Sequence, residues 1–268
     1  MMHRTEAQEL AQIRLATRGI LHVQGAVHAA EEIIKNAIDT YDNNACVSWS
    51  GGRCSTAVLF MALKMNPEIK VIHNDTGVLY PETSQFVKSV TKQYNINLTI
   101  AKPPCTFWEV CKKYGFPFVV RRGRGEPACC RILKRNPTIK TIKEMGCEAE
   151  ITGIRVGEAS HRMLNVYQRG QSYFAKKWRA WKFHPIALWS TNELIDFLNK
   201  NSIPINPVYD KYKLDREGCW PCSGYIGWQE NMARIRPKFY AWMMKQMGPQ
   251  RILEHYYRTE VAPCNERG

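Results

Sequence analysis

No stretch of this 268-residue chain approaches the roughly 18 uninterrupted apolar residues that a membrane-crossing helix needs. The opening residues, MMHRTEAQEL, are polar and hold no apolar core of the kind a secretory leader requires. Both absences lead to the expectation of a cytoplasmic protein with no membrane partner. Acidic residues are also in short supply: 24 Asp and Glu stand against 38 Lys and Arg, for a formal charge of +14. That imbalance favours an anionic partner, either nucleic acid or a substrate with several phosphates, over a merely solvated basic surface. No internal repeat or low-complexity tract interrupts the chain. Cysteine, by contrast, is plentiful, with ten residues. The chain is too long and too helix-patterned for a small disulfide scaffold, so clustered cysteines point instead to metal binding or redox work.

The length suits one sizeable α/β domain with an extension, or two small domains. Apolar residues at three- and four-residue spacing predict helix over 5–40, with a break near Gly25. Short β-prone runs at 45–49, 69–73, 97–100 and 149–153 alternate with helical patterns at 55–64, 83–94 and 137–146, and a further helix is expected over 191–200. Strands alternating with helices predict an open, mostly parallel twisted sheet with helices on both faces. Residues 119–135 and 155–182, dense in Arg and Lys with interleaved aromatics, read as long functional loops over one end of that sheet.

The segment VSWSGGRCSTAVLF, residues 47–60, takes an apolar strand through two glycines into a hydroxyl-rich helix start. Glycines let backbone approach an anion closely, and free N–H groups at a helix N-terminus point at it. Ser50, Gly51, Gly52, Arg53, Ser55 and Thr56 are therefore candidate phosphate-binding residues. The Walker spacing, Gly-x4-Gly-Lys-Ser/Thr, is absent. Cys54 at the tip reads either as a small space-filling side chain or as a reactive thiol that carries sulfur.

SGGxxS after the first strand resembles the loop of the ATP-pyrophosphatase, or adenine nucleotide α-hydrolase-like, superfamily. HNDTGVLYPET (73–83), GIRVGEASHR (153–162) and HPIALWSTNELIDFLNKNSIPINPVYD (184–210) resemble segments of its phosphoadenosine phosphosulfate (PAPS) reductase family. The matches run in order from about 46 to 225. The resemblance implies that Asp75, Thr76 and Gly77 lie by the nucleotide, that Arg155 and Arg162 neutralise its oxyanions, and that Glu158 joins Ser50, Asp75 and Arg162 in catalysis. Arginine suits that work because its planar fork bonds two phosphate oxygens at once. Three regions are expected: a helical extension at 1–40, the nucleotide-binding domain at 41–225, and a helical segment with a tail at 226–268.

Cys129-Cys130 and Cys219-Trp220-Pro221-Cys222 form a CC…CxxC set. Adjacent thiolates fit poorly onto one tetrahedral zinc and more easily onto two irons of one cluster. In the family resembled, this pattern marks the members that hold a [4Fe–4S] cluster through four thiolates. Arg131, Lys134 and Arg135 would offset its negative charge or bind substrate. Cys46, Cys105, Cys111 and Cys147 read as buried apolar residues. Cys264 stands where reductases of the family carry a nucleophile on a C-terminal tail, but its Pro-Cys-Asn-Glu setting lacks their neighbouring glycine and histidine.

Three functions follow as expectations. The first is an ATP-dependent sulfur-insertion enzyme, as in DNA phosphorothioation, using ATP with Mg2+ and a cysteine desulfurase or other sulfur donor. It would act on nucleic acid, with Tyr173, Trp178, Trp181 and Phe183, set among Lys176, Lys177, Arg179 and Lys182, either stacking on bases or packing their loop onto the core. The second is a PAPS or adenylyl sulfate reductase with Cys264 as nucleophile and thioredoxin as partner. The third is a nucleotide-binding subunit without turnover, because Arg53-Cys54 replaces the Lys-Asp tip of ATP-cleaving relatives. A homodimer is a candidate assembly for each.

Overall fold

The computed structural model describes residues 25–117, 126–225 and 227–247. Helix α1 (Ala26–Tyr41) leads into strand β1 (Ala45–Ser48), α2 (Arg53–Met65), β2 (Lys70–Asn74), α3 (Pro81–Gln93) and β3 (Leu98–Ala101). Next come α4 (Phe107–Tyr114), a helical turn at Ala128–Cys130, a π-helical turn at Arg131–Arg135 and α5 (Asn136–Glu144). Strand β4 (Ala149–Thr152), α6 (Ser160–Arg169), β5 (Ser172–Ala175) and β6 (Ala180–Phe183) precede α7 (Thr191–Lys200), α8 (Val208–Tyr212), α9 (Trp228–Ile235) and α10 (Pro237–Met247).

Six strands form one sheet in the order β3-β2-β1-β4-β6-β5. Every pair is parallel except β5–β6. Side chains alternate across a strand, and the two faces separate cleanly. Ala45, Val47, Val71, Ala149, Ile151 and Phe183 join the main core, against Ala30 and Ile34 of α1, Leu59 of α2, Phe86 of α3 and Leu198 of α7. Cys46, Ile72, Ala101 and Ala180 face the other way, against Ile142 of α5. Full burial of Ile34, Leu59, Ile151 and Leu198 contributes about 2 kcal/mol each before entropy is counted. The α/β fold with helices on both faces is as expected, and α7 spans the expected 191–200. Its start is set by a capping box, in which Glu193 N–H donates to Ser190 Oγ (3.2 Å) and Ser190 N–H to the Glu193 carboxylate (2.6 Å).

Two expectations need correction. Residues 155–182 are not one long loop: they form α6 and the β5–β6 hairpin, whose register pairs Phe174 with Trp181. The hairpin sets the basic turn far from the expected place. Because β6 runs parallel to β4, with Ala149 opposite Trp181, the turn at 176–179 lies at the N-terminal edge of the sheet, opposite the loops that follow β1, β2 and β4. Phe183 is buried, Lys182 pairs with buried Glu150 beneath the Trp178 ring, and the Tyr173 hydroxyl accepts a hydrogen bond from Asn165 (2.8 Å). Half of that basic–aromatic set is therefore occupied inside the fold. Residues 126–135, likewise expected as loop, are mostly helical; 118–125 lie outside the described residues. Helix α4 was not anticipated, although Thr106 and Glu109 form a capping box at its start.

Beside the hairpin, the buried His184 ring places Nδ1 2.7 Å from Thr152 Oγ1. Burial pushes its imidazole down to about 3. The folded protein keeps the ring neutral while an unfolded ring protonates below its ordinary 6.5, so the stability that this contributes is present above that value and is lost as pH falls. Between pH 7 and 5 the wild type should lose about 2 kcal/mol more unfolding free energy than His184→Gln, at 1.36 kcal/mol per unit. Denaturant titrations at both pH values measure the difference, and equal losses would contradict it.

Candidate active site

The turn after β1 is built around hydroxyls. Ser50 N–H donates to Ser55 Oγ (3.1 Å), the two serine hydroxyls lie 3.0 Å apart, and Gly52 N–H donates to Ser50 Oγ (3.2 Å). Ser55 Oγ and Thr56 Oγ1 both donate to Gly52 C=O (3.0 and 2.9 Å). Gly51 adopts φ 82°, and a Cβ there would press on Thr83 at 3.1 Å, so glycine is needed for both conformation and space. Asn206, 1 % exposed, donates from Nδ2 to Gly51 C=O (3.1 Å) and Thr83 Oγ1 (2.9 Å). The Tyr209 hydroxyl accepts from Arg53 N–H (3.1 Å), and the Arg53 guanidinium stacks 4.0 Å from the Tyr209 ring centroid. A glycine turn before a helix N-terminus is the geometry of an anion cradle, and this turn is called the cradle below.

The turn after β2 joins this cradle to the cysteines. Asp75 Oδ1 accepts from Gly77 N–H (2.9 Å), and buried Thr76 places its hydroxyl 3.4 Å from Cys219 Sγ. Leu79 and Cys219 form an antiparallel bridge, and Trp220 N–H donates to Val78 C=O (3.0 Å). Cys129, Cys130, Cys219 and Cys222 line one cavity of about 110 Å³, together with Leu133, Lys134 and Arg216 among others. Among the described residues, no three His, Cys, Asp or Glu side chains converge as ligands of a single ion. Burial raises the Cys222 thiol, and the bond shared with Cys129 lowers that of Cys130. The Lys134 ammonium, facing Cys219, Cys130 and Glu217, is held firmly protonated.

Glu217 closes the gap between cradle and cavity. Its Oε2 lies 3.6 Å from where a Cβ on Gly52 would stand, and its Oε1 is buried without a hydrogen-bond partner. Burial pushes its carboxyl up to about 7, against the opposing pull of Lys134, Arg216 and the Ser50 hydroxyl.

The turn after β4 comes closest of all. A Cβ on Gly153 would meet Ser55 N at 2.5 Å and the Cys54 carbonyl carbon and oxygen at 2.6 Å. Just beyond, Arg155 Nε–H donates to Cys54 Sγ (3.2 Å), while its Nη1 holds Trp189 C=O (3.2 Å) and Thr191 Oγ1 (3.4 Å). Cys54 Sγ–H donates to Glu158 Oε1 (3.4 Å), and Glu158 is paired with Arg162 one turn on.

The residues expected from the sequence thus fall into three adjoining turns. Ser50, Gly51, Gly52, Arg53, Ser55 and Thr56 form the cradle, Asp75, Thr76 and Gly77 join it to the cysteine wall, and Arg155, Glu158 and Arg162 surround Cys54. Both arginines are already engaged inside the protein. Cys264 lies outside the described residues. Sequence reasoning passed over Asn206, Tyr209 and Glu217: the Asn-Pro-x-Tyr-Asp segment was visible, but nothing local said that it props the cradle, and Glu217 has no sequence signal beyond lying next to the CxxC pair.

Gly153→Ala should destabilise the protein by about 1–3 kcal/mol, because the added methyl group collides with backbone rather than with a movable side chain. Thermal melts measure this, and circular dichroism checks that the sheet persists. Asn206→Ala should destabilise the protein by about 1–3 kcal/mol by leaving Gly51 C=O unpaired in the interior, as read from thermal melts; an unchanged melt would refute its propping role.

Comparison with known proteins identifies the family. Residues 44–225 match the model of the phosphoadenosine phosphosulfate reductase domain. An uncharacterized protein of Methanocaldococcus jannaschii is 30% identical over 212 residues, which are 77% of this chain and 42% of that protein, so the chain spans under half of that relative. Adenosine 5′-phosphosulfate reductase of Pseudomonas aeruginosa strain LESB58 is 27% identical over 72% of this chain and 71% of its own length. In fold, the chain resembles PAPS reductase of Candida auris in its phosphate complex (TM-score 0.55, 22% identity, 75% of this chain and 96% of that one). It also resembles the U34-tRNA thiolase NcsA of Methanococcus maripaludis with its [4Fe–4S] cluster (TM-score 0.50, 14% identity, 90% and 84%). With the family match covering most of the chain and the three turns in place, the chain belongs to the phosphoadenosine phosphosulfate reductase domain family.

Proposed function

We propose that the protein is an ATP-dependent sulfur-insertion enzyme. It cleaves ATP between the α and β phosphates, transfers AMP to an oxygen of an acceptor, and lets sulfur displace the AMP. One observation carries this reading: the turn after β1 and the four-cysteine cavity are neighbours, with Thr76 of the adjoining turn 3.4 Å from Cys219 and Glu217, which lies between the cavity-lining Arg216 and Gly218, against Gly52. A nucleotide bound at the first would lie beside thiol chemistry at the second.

The cavity suits a [4Fe–4S] cluster better than a single zinc ion. Its four thiols surround a common space without converging on one point, two of them are adjacent in sequence, and Lys134 and Arg216 offset negative charge. Cys129, Cys130, Cys219 and Cys222 would hold the cluster, which when bound supplies iron able to bind sulfur or pass electrons. The chain does the rest. The N–H groups of Cys54 and Ser55 in the first turn of α2 and the hydroxyl of Ser50 bind phosphate, Arg53 adds a cation fixed on Tyr209, and the Asp75–Gly77 turn borders the nucleotide. The net charge of +14 supports a nucleic-acid acceptor, and a cysteine desulfurase is the matching sulfur donor.

A second reading, adenylyl sulfate or PAPS reduction, is favoured by the similarity to the Pseudomonas reductase. It would require Cys264 as nucleophile, in a tail whose Pro-Cys-Asn-Glu sequence departs from the reductase pattern. One assay separates the two. Anaerobically purified protein is incubated with ATP, adenylyl sulfate or PAPS, and pyrophosphate and sulfite are followed. Pyrophosphate from ATP with no sulfite is expected; sulfite that disappears in Cys264→Ser would overturn the insertion reading.

A further inference from the structure

Cys54 is not an isolated thiol. It stands in the first turn of α2, between a buried cation and a carboxylate that a second cation orients. Arg155 is 8 % exposed, and among the described residues no carboxylate lies within ion-pair distance of it. Its neutral partners are Trp189 C=O and Thr191 Oγ1, and its Nε–H is aimed at the sulfur. A buried guanidinium is costly until a polar or anionic group faces it. The side chain at which its Nε–H points is Cys54 Sγ. Opposite stands Glu158, within reach of the thiol proton and held by Arg162. Nucleophile, base and an orienter of the base are the parts of an activated thiol.

We propose that Cys54 is the sulfur-accepting nucleophile of the site, loaded as a persulfide by a persulfide donor before sulfur transfer. The idea rests on the sulfur-insertion reading above. Glu158 takes the Sγ–H proton, and the Arg155 guanidinium holds the resulting thiolate. The thiolate attacks the outer sulfur of the donor R–S–SH. The donor S–S bond breaks, R–S⁻ leaves with the bonding pair and is protonated, and Cys54–S–SH forms. Loading passes sulfane sulfur from one thiol to another and consumes no oxidant or reductant. In delivery the outer sulfur displaces AMP to leave an acceptor–S–S–Cys54 disulfide, which a small dithiol or thiol reductant cleaves with two electrons to free the thiolated acceptor and Cys54. The product sulfur sits at the mouth of the phosphate cradle, the place where an adenylated acceptor would present its leaving group. The acidic tip residue usual in ATP-cleaving relatives has here given way to the thiol that carries the sulfur.

The test uses full-length protein and glutathione persulfide. Peptide mass spectrometry after brief exposure should find one added sulfur on the peptide that holds Cys54, ahead of the buried Cys46 and Cys147. Glu158→Gln should slow loading about a hundredfold, the lower end of what a positioned base contributes, with Glu158→Asp restoring part of it. Bound ATP should shield the thiol. Cys54→Ser should lose sulfur transfer while keeping the sheet, as circular dichroism checks. An unmodified Cys54, or full sulfur transfer by Cys54→Ser, overturns the proposal even if ATP is cleaved. Loading of Cys54 in a protein that releases no pyrophosphate from ATP supports the thiol's role and overturns the insertion reading instead.

Discussion

The close approach of Gly153 to the first turn of α2 is the contact on which the site depends. No side chain fits between that glycine and the backbone of Cys54 and Ser55. The turn after β4 can therefore lie directly on the N-terminus of α2. Two residues on, Arg155 reaches the Cys54 sulfur, and the short 3₁₀ turn Val156–Glu158 carries a carboxylate to the same atom. A parallel sheet brings the ends of β1, β2 and β4 to one edge; the missing Cβ brings two of those ends into contact.

Charge balance explains the rest of the neighbourhood. Lys134 faces thiols and Glu217, Arg155 faces a thiol, and Arg162 faces Glu158. Cations thus line the cradle and the cavity, with sulfur and a few carboxylates as their counterparts. Such a wall receives phosphate readily, and it also favours anionic sulfur. Glu217 is the exception: a carboxyl in the interior between cradle and cavity, driven toward its neutral form by burial. It joins the two halves of the site through one side chain.

The cysteine cavity rests on a second core, apart from the sheet. Phe107 and Val110 of α4, Leu133 of the π-helical turn, Trp228 and Met232 of α9 and Met243 of α10 pack together behind Cys129. The π-helical turn follows directly on Cys130, and such turns commonly mark functional positions in a helix. The rigid backing fixes the adjacent pair Cys129-Cys130, while the bridge from Leu79 to Cys219 fixes the CxxC half against the sheet.

The sequence by itself determined the α/β alternation, the cradle and the CC…CxxC set. Each is a local pattern: apolar runs of strand length, glycines before a helix start, thiols at short spacing. It misplaced the aromatic–basic stretch at 172–183, because a hairpin and a long loop share composition and only strand pairing distinguishes them. Once β6 pairs in parallel with β4, the basic turn must fall at the far edge. It could not reveal that Asn206 and Tyr209 hold Gly51 and Arg53 across more than 150 residues of chain, or that Glu217 lies against Gly52. Cys54 shows the division most clearly. Its position at a helix N-terminus was legible in the sequence. That Arg155 and Glu158 close on its sulfur was decided only by the tertiary structure, because those contacts require the turn after β4 to cross a gap that glycine alone leaves open.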